Sequence, residues 1–321
     1  MQQHPKISIL IPCCNVEQYV GQCVESVLRQ TLSDIEVICI NDGSKDNTLS
    51  ILYDFEKKDH RIRIINKSNS GYGDSMNRAL ALAKGEYVGI VESDDFVDEG
   101  MFQALYEVAN REDAEIVRSC YFEYKGGVDT YVGNDWVPKN RTHNPNVETA
   151  AFLQAPAIWS AIYRRSWLEK EDIRFLPTPG ASYQDTSFAF KCYACCERFH
   201  MLDRAFLHYR LDNQSSSVNN PGKVMCVCDE WREIYRFVRK NKRRHAHLYS
   251  LLPYMQYGTY KWNFERLSGT LKYKFLLVWA REIIGHFLRG ELPLTKLDPY
   301  VKLRLKSVLV KAFFNRKESL P

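Results

Sequence analysis

Residues Gly85 to Val97 read GEYVGIVESDDFV, an apolar run that stops in three acidic side chains, Glu92, Asp94 and Asp95, with Ser93 between them. Tyr87 to Val91 has the β-rich, near-continuous apolar composition of a strand buried on both faces, which puts the carboxylates at its carboxyl end. Open α/β sheets bind ligands along that edge. Like charges this close repel and raise one another's pKa unless a cation lies between them. Hard oxygen ligands suit Mg2+ or Mn2+ rather than zinc, and Mg2+ so held keeps waters and takes phosphate oxygens as its remaining ligands. The competing reading is a solvated acidic turn that caps the next helix, since Asp and Ser are ordinary N-caps.

The segments upstream favour the first reading. Lys6 to Ile11 is a short apolar strand closed by Pro12, which cannot donate to a ladder. Gln18 to Gln30 carries apolar residues at helical spacing. Ile35 to Ile40 is a second buried-type strand, followed by Asn41-Asp42-Gly43-Ser44, and Asp46 to Lys57 is a second helix. Arg61 to Ile65 is a third strand, Ser70 to Gly73 a turn, and Asp74 to Ala83 a third helix that leads into Glu86 to Val91. Four strands alternating with three helices predict βαβ units and a parallel sheet with helices on both faces. Asp42, Glu92, Asp94 and Asp95 then fall together at the carboxyl ends of its strands.

Downstream the pattern loosens. Ala114 to Val117, Cys120 to Tyr124, Ala157 to Tyr163, Phe199 to Leu202 and Ala205 to Tyr209 read as strands, with a hairpin turn at Lys125-Gly126-Gly127 and an aperiodic loop over 133–146. Thr178 to Asp185 is a loop that opens a helix at Thr186 to Cys196. From Gly222 the chain reads as basic, aromatic helices. The domains expected are therefore 1–220, divided into a nucleotide-binding half at 1–110 and an acceptor half at 111–220, and a helical extension at 221–321.

The net charge of +5 conceals an asymmetry: from Trp231 onward there are 20 Lys and Arg against 6 Asp and Glu, which leaves 24 against 33 for residues 1–230. No signal peptide is legible before the first strand, so the ten cysteines are expected to be reduced and the protein cytoplasmic. Cys192, Cys195 and Cys196, like Cys226 and Cys228, lack a second pair at zinc-finger spacing and read as small buried hydrophobes. The N-x-S/T matches at Asn66, Asn140 and Asn213 carry no weight without secretion. No apolar run approaches the ~18 residues of a membrane span.

Five blocks in order resemble glycosyltransferase family 2, bacterial surface-polysaccharide type: Ile9 to Pro12 with Asn15, Val24 to Thr31, Ile38 to Ser44 with Asp46 and Thr48, Asn69 with Gly71, and Gly85-Glu86-Tyr87 leading to Glu92-Ser93-Asp94-Asp95. The resemblance is close over residues 5 to 105 and looser from Trp159 to Ser217. It implies the GT-A fold, a mostly parallel α/β sheet flanked by helices. It also implies a donor site built from Pro12, Asn15, Asp42, Asn69, Gly71, Glu92, Ser93, Asp94 and Arg210. In that site Asp42 would hold the nucleotide base, and Asp94, with Glu92 and Asp95, would hold Mn2+ or Mg2+ on the donor diphosphate. In inverting members an acidic pair opens a helix of the second half; here the pair is Gln184-Asp185, and the resemblance implies Asp185 as the general base, the alternative being an N-cap carboxylate. His208-Tyr209-Arg210 with Ser215 to Ser217 resembles a segment near the diphosphate, where Arg210 would form a bidentate pair. The chain departs from the family in four places: Glu92 stands for an aspartate, Cys14 for an aromatic, Met76-Asn77-Arg78 for a segment bearing an arginine elsewhere, and Gln184 for an acid.

Together these features predict an inverting transferase that moves a sugar from a nucleotide diphosphate sugar, UDP-linked by resemblance, to a saccharide or lipid-linked acceptor hydroxyl. A non-catalytic sugar-nucleotide binding module is the first alternative, since Glu92 and Gln184 would then mark a decayed site. A nucleotidyltransferase is the second, and would want a glycine- and lysine-rich phosphate loop near the amino terminus. The basic tail interleaves cations with Trp262, Phe264, Tyr273, Phe275, Trp279, Phe287, Phe313 and Phe314. That mixture suits peripheral attachment to an anionic membrane surface, while the acidic first 230 residues argue against nucleic acid.

Overall fold

The computed structural model describes residues 5–213 and 223–314. The chain divides after residue 216 into two compact units.

The first unit opens with β1 (Ile7–Cys13), α1 (Val20–Leu28), β2 (Ile35–Asp42), α2 (Thr48–Glu56), β3 (Ile62–Lys67), α3 (Tyr72–Leu82) and β4 (Tyr87–Ile90). These four strands lie side by side in the order β3-β2-β1-β4, all parallel. β1 and β4 are buried at every position, as a strand covered by helices on both faces must be. α1 fits that sheet because Val20, Cys23, Val24 and Val27 recur on one face and are all buried.

Beyond the acidic turn come β5 (Phe96–Val97), α4 (Met101–Arg111), β6 (Ile116–Lys125), β7 (Val128–Val132), β8 (Thr142–His143), β9 (Ala161–Arg164), α5 (Arg165–Lys170), α6 (Gln184–Cys195) and β10 (Phe199–Arg210). The sheet continues from β4 through β9, β6 and β10 to β5, with β9 antiparallel to both its neighbours. Among the described residues it has ten strands, and is mixed rather than wholly parallel. α6 is buried on nearly every side, so it runs through the core of this unit instead of along its surface. Cys192, Cys195 and Cys196 are buried within that packing.

Three expected boundaries move. The two short strands read over 114–124 are the single strand β6, and those over 199–209 are the single strand β10 with irregular register around Leu202 and Ala205. The exposed Asp203-Arg204 pair at that irregularity breaks the apolar alternation. The strand expected from Ala157 begins only at Ala161, because Ala157 takes a left-handed backbone (φ 31°) and Ile158 to Ser160 form a 3-10 turn. α4 lies between Val97 and Asp113, where no element was expected.

The second unit holds α7 (Cys226–Lys240), α8 (Lys242–His245), α9 (Leu252–Glu265), α10 (Gly269–Leu288) and α11 (Pro299–Phe313). Its core is aromatic: Trp231, Tyr235, Tyr260, Phe275 and Trp279 are almost wholly buried, and Tyr260 packs against Phe275 and Trp279 with centroids 5.2 and 5.5 Å apart. The interleaved aromatics thus divide. Phe264, Phe275 and Trp279 build this core, whereas Trp262, Phe287, Phe313 and Phe314 are exposed. Among the described residues no helix is long and apolar enough to cross a membrane.

Candidate active site

The carboxyl ends of β1, β2 and β4 face one another because the strands are parallel and in register. Pro12 lies past the last pairing of β1 with β4, so its missing N–H breaks no ladder there. Asn15 follows in a left-handed conformation (φ 54°). Its Oδ1 accepts from Lys45 N at 2.8 Å, and its own N–H donates to Ser44 Oγ at 3.0 Å. The loop after β1 is therefore laced to the loop after β2. Cys14, at the position of a family aromatic, is exposed.

Asp42 ends β2 and is 5% exposed. Its carboxylate accepts from the Lys67 ammonium, from Ser70 N at 2.8 Å and from Gly71 N at 3.0 Å, while Asn69 Nδ2 donates to its backbone carbonyl at 2.9 Å. Of about four carboxylate lone-pair positions, three anchor the Lys67–Gly71 loop. Asp42 thus shapes the pocket expected for a base by fixing its wall, and one lone pair is left for a ligand. Gly43 and Gly71 are dictated by this geometry. Both have positive φ, and a Cβ would meet Asn69 N at 2.7 Å or Thr178 O at 2.6 Å.

The acidic residues after β4 turn in different directions. Glu92 Oε1 accepts from Tyr72 Oη at 2.6 Å. Asp94 Oδ2 accepts from Asn213 Nδ2 at 2.7 Å. Asp95 Oδ1 accepts from Arg210 N at 2.8 Å, while its buried Oδ2 has no hydrogen-bond partner among the described residues. Ser93 is buried between them. Among the described residues no three His, Cys, Asp or Glu side chains surround one point where an ion would sit. The carboxylates of Glu92, Asp94 and Asp95 meet different partners among the described residues: Asp95 faces inward to a backbone N–H, Glu92 faces a phenol, and Asp94 accepts from a side-chain amide. A hard cation that keeps waters and phosphate oxygens still fits a site with one fixed carboxylate. Burial, and then the charges of Asp94 and Asp185, push Glu92 up to about 8. Burial, and then Asp94, push Asp95 upward too. A divalent cation would relieve that crowding.

Arg210 lies against the acidic turn. Its Nε donates to Asp94 O at 2.7 Å and its Nη2 to Gln22 Oε1 at 2.7 Å, and the guanidinium lies 5.0 Å from the rings of both Tyr19 and Tyr124. The Nε/Nη2 edge thus latches the acidic turn, and the Nη1 side, 3.6 Å from Asp212 Oδ1, is the one a phosphate would meet. Ser215, Ser216 and Ser217 lie outside the described residues.

Asp185 opens α6, after Tyr183 in a left-handed conformation (φ 63°). Burial pushes it up to about 6, against hydrogen bonds from Thr186. The loop before it is docked on α3. Tyr72 N donates to Gly180 O at 2.8 Å, Asn77 both donates to and accepts from the Phe175 main chain at 2.9 Å, and Gln184 Nε2 donates to Thr178 Oγ1 at 2.9 Å. Gln184, 2% exposed, is therefore an internal clamp of this loop. Through Tyr72 the same docking brings Asp185 near Glu92, close enough for its charge to act on that carboxyl. Tyr209, stacked on Trp159 at 5.1 Å, lies among all of them. Burial raises its phenol pKa first, and Asp95, Asp94, Asp185 and Glu92 each raise it further. Tyr72 and Lys67 have no role in the sequence reading, and Asn77 and Tyr209 enter it only as members of quoted segments; the glycines flanking Tyr72 are the one local hint of a close approach there.

Residues 8–172 match the family Glycosyl transferase family 2. The uncharacterized glycosyltransferase EpsJ of Bacillus subtilis (strain 168) is 35% identical over 231 residues, which are 68% of this chain and 64% of that relative. The chain thus spans less than two thirds of that relative's length. S. aureus TarS (residues 1–349), solved with UDP, superposes with a TM-score of 0.70 at 18% identity, over 96% of this chain and 86% of that one. The mannosyltransferase PcManGT of Pyrobaculum calidifontis, solved with GDP-Man and Mn2+, superposes with a TM-score of 0.53 at 13% identity, over 98% of this chain and 89% of that one. The fold is accordingly the expected α/β architecture, a central sheet flanked by helices with a helical carboxyl-terminal region.

Proposed function

Because the chain belongs to glycosyl transferase family 2, we propose that it transfers a sugar, with inversion, from a UDP-sugar to an acceptor hydroxyl on a saccharide or lipid-linked glycan. The observation that carries this reading is the meeting of Glu92, at the end of β4, with Asp185, at the start of α6, around Tyr72 and Tyr209. Strand-end carboxylates and a helix-start carboxylate distant in sequence, gathered in one cleft with perturbed pKa values, are the pattern of a functional site, and a cationic or phosphorylated ligand suits their charge. The UDP-bound relative in fold supports the nucleotide, and the Mn2+-bound one supports a divalent ion.

In this proposal Asn15, Asn69 and Gly71 line the nucleotide side, with Asp42 fixing that wall. Asp94 would hold Mn2+ or Mg2+, with Glu92 within reach of the ribose or the ion; the ion supplies charge neutralisation for the departing diphosphate. Asp185 removes the proton of the acceptor hydroxyl as the new glycosidic bond forms at the anomeric carbon, and the electron pair of the broken bond leaves with the diphosphate. The carboxylate is suited to this by its raised pKa of about 6, since a base is most effective when its pKa approaches the working pH. Residues 1–220 would form the transferase domain and 221–321 a region that attaches peripherally to the inner face of the cell membrane from the cytoplasm. Nucleic acid is not a partner in this reading.

The test is a thermal-shift screen of nucleotide sugars with and without Mn2+, followed by determination of the product anomer. Stabilisation by one UDP-sugar only when Mn2+ is present, and a product of inverted configuration, are expected. Metal-independent stabilisation without turnover would favour the binding-module alternative.

A further inference from the structure

In the second unit, α10 ends in a wrap of two hydrogen bonds. Gly290 N donates to Phe287 O at 3.0 Å and Glu291 N to His286 O at 2.9 Å, with Gly290 at φ 67°. This pattern folds the chain back over the last helical turn and sets Glu291 Oε2 2.7 Å from His286 Nδ1. Glu291 is only 4% exposed, yet it accepts from Arg239 Nε at 2.8 Å and from Arg289 Nε at 3.0 Å. A single buried carboxylate thus holds two half-exposed guanidinium groups, one from α7 and one from the end of α10.

These cations and the exposed Lys242 line an open cleft of about 230 Å3, completed by Tyr249, Gly290 and Glu291. Both Nη groups of Arg239, Nη1 of Arg289 and the Lys242 ammonium make no hydrogen bond among the described residues. Three cations against one carboxylate leave surplus positive charge, two of them guanidinium groups held in place by Glu291, an arrangement that suits phosphate. The chain on either side of the cleft is apolar and exposed: Phe287 is 53%, Leu288 77% and Leu294 44% accessible. Cationic donors flanked by bare apolar side chains match an amphiphilic anion better than a soluble one.

We propose that this cleft binds the phosphate of an anionic phospholipid at a membrane surface, with Phe287, Leu288 and Leu294 entering the apolar boundary beneath it. The proposal rests on the peripheral-membrane reading above and names its site. Glu291 and His286 keep the two arginines fixed, and Lys242 faces the same phosphate from the start of α8.

The test is co-sedimentation of the full chain with phosphatidylcholine vesicles, with and without phosphatidylglycerol. Lys242→Glu and Leu288→Asp are compared with the control Lys306→Glu, an exposed cation of α11 that does not line the cleft. Binding only to phosphatidylglycerol vesicles is expected, weakened about tenfold by each of the first two variants and at most about threefold by the control. The melting temperature should stay within a degree or two of the parent in all three. Failure of the unaltered chain to bind overturns both the membrane reading and the cleft. Binding that Lys242→Glu and Leu288→Asp leave unchanged, or that Lys306→Glu weakens equally, overturns the cleft alone. Release from the vesicles by millimolar inorganic phosphate at constant ionic strength would assign the cleft to soluble phosphate and overturn the lipid assignment.

Discussion

Asp94 and Asp185 are both carboxylates of the proposed cleft, but their surroundings give them different tasks. Among the described residues the Asp94 carboxylate takes one side-chain hydrogen bond, from Asn213, so Asp94→Ala removes little from the fold. It should leave the melting temperature of the free protein within about 2 °C of the parent, since ~1 kcal/mol shifts a domain of this size by a few degrees. At the same time it should abolish transfer and the stabilisation of the donor complex by Mn2+. A variant that still hydrolyses donor faster when Mn2+ is added would refute this role. Asp185 is raised to about 6 by burial. Its basic form is therefore lost below that pH, and kcat/KM should fall about tenfold per unit as the pH drops beneath 6. The sign for stability is the reverse of the usual aspartate. A folded pKa above the ordinary value of about 4 means the fold disfavours the charge, a penalty absent below about 4, growing up to 6 and constant above. Asp185→Asn should consequently melt a few degrees higher than the parent at pH 7 and no higher at pH 4, while turnover falls by roughly 10²-fold or more and donor affinity changes only a few fold. An acid limb near 4, or weakened donor binding with normal turnover, would make Asp185 a structural cap. At this scale the sequence marks the carboxylates, because an acidic cluster after a buried strand needs a cation to be tolerated. The orientation of each depends on distant residues, Tyr72 for Glu92 and Arg210 for Asp95, and no local spacing encodes that.

The loop from Ile173 to Tyr183 reaches the site because α3 receives it. A Cβ on Gly73 would lie 2.1 Å from Leu176 O, and Asn77 closes a two-bond clamp on the Phe175 backbone. Gly73→Ala should push this loop off α3 and misplace Asp185. The expected signature is a loss of kcat of about 10-fold or more with a smaller change in donor KM, because the nucleotide wall around Asp42 is anchored separately through Lys67, Ser70 and Gly71. Equal loss of kcat and of donor binding would show the two walls to be coupled. The first four strands and three helices were legible because buried parallel strands write nearly continuous apolar runs and the helices between them show one buried face. α4 is just as legible, with Met101, Phe102, Leu105, Val108 and Ala109 on one helical face, although it forms no part of the expectation. β6 and β10 each read as two strands because polar residues interrupt them: Arg118 and Ser119, wholly enclosed in the sheet, in β6, and the exposed Asp203-Arg204 in β10.

Across the molecule, charge and packing divide close to one another along the chain. Residues from Trp231 onward carry 20 Lys and Arg against 6 Asp and Glu, whereas residues 1–230 carry 24 against 33, and the chain separates into compact units after residue 216. The hydrogen bonds described above that place Asn15, Asp42, Glu92, Asp94, Asp185 and Arg210 all close among residues 5–213. The second unit has its own core, in which Trp231, Tyr260 and Trp279 are buried together. A polypeptide of residues 1–216 should therefore melt cooperatively and keep the UDP-sugar and Mn2+ stabilisation of the full chain. It should also lose affinity for phosphatidylglycerol vesicles, since about 1 kcal/mol per cation near an anionic surface leaves with the tail. The two readouts separate the possible causes of failure. A truncated chain that melts without a transition shows that the first unit depends on the second for its fold. One that melts normally yet ignores nucleotide and Mn2+ shows that the donor site draws on residues beyond 216. One that still binds anionic vesicles places the membrane contact outside the basic helices, because an acidic first unit with its carboxylates gathered at the sheet edge has no surplus of positive charge to offer an anionic lipid.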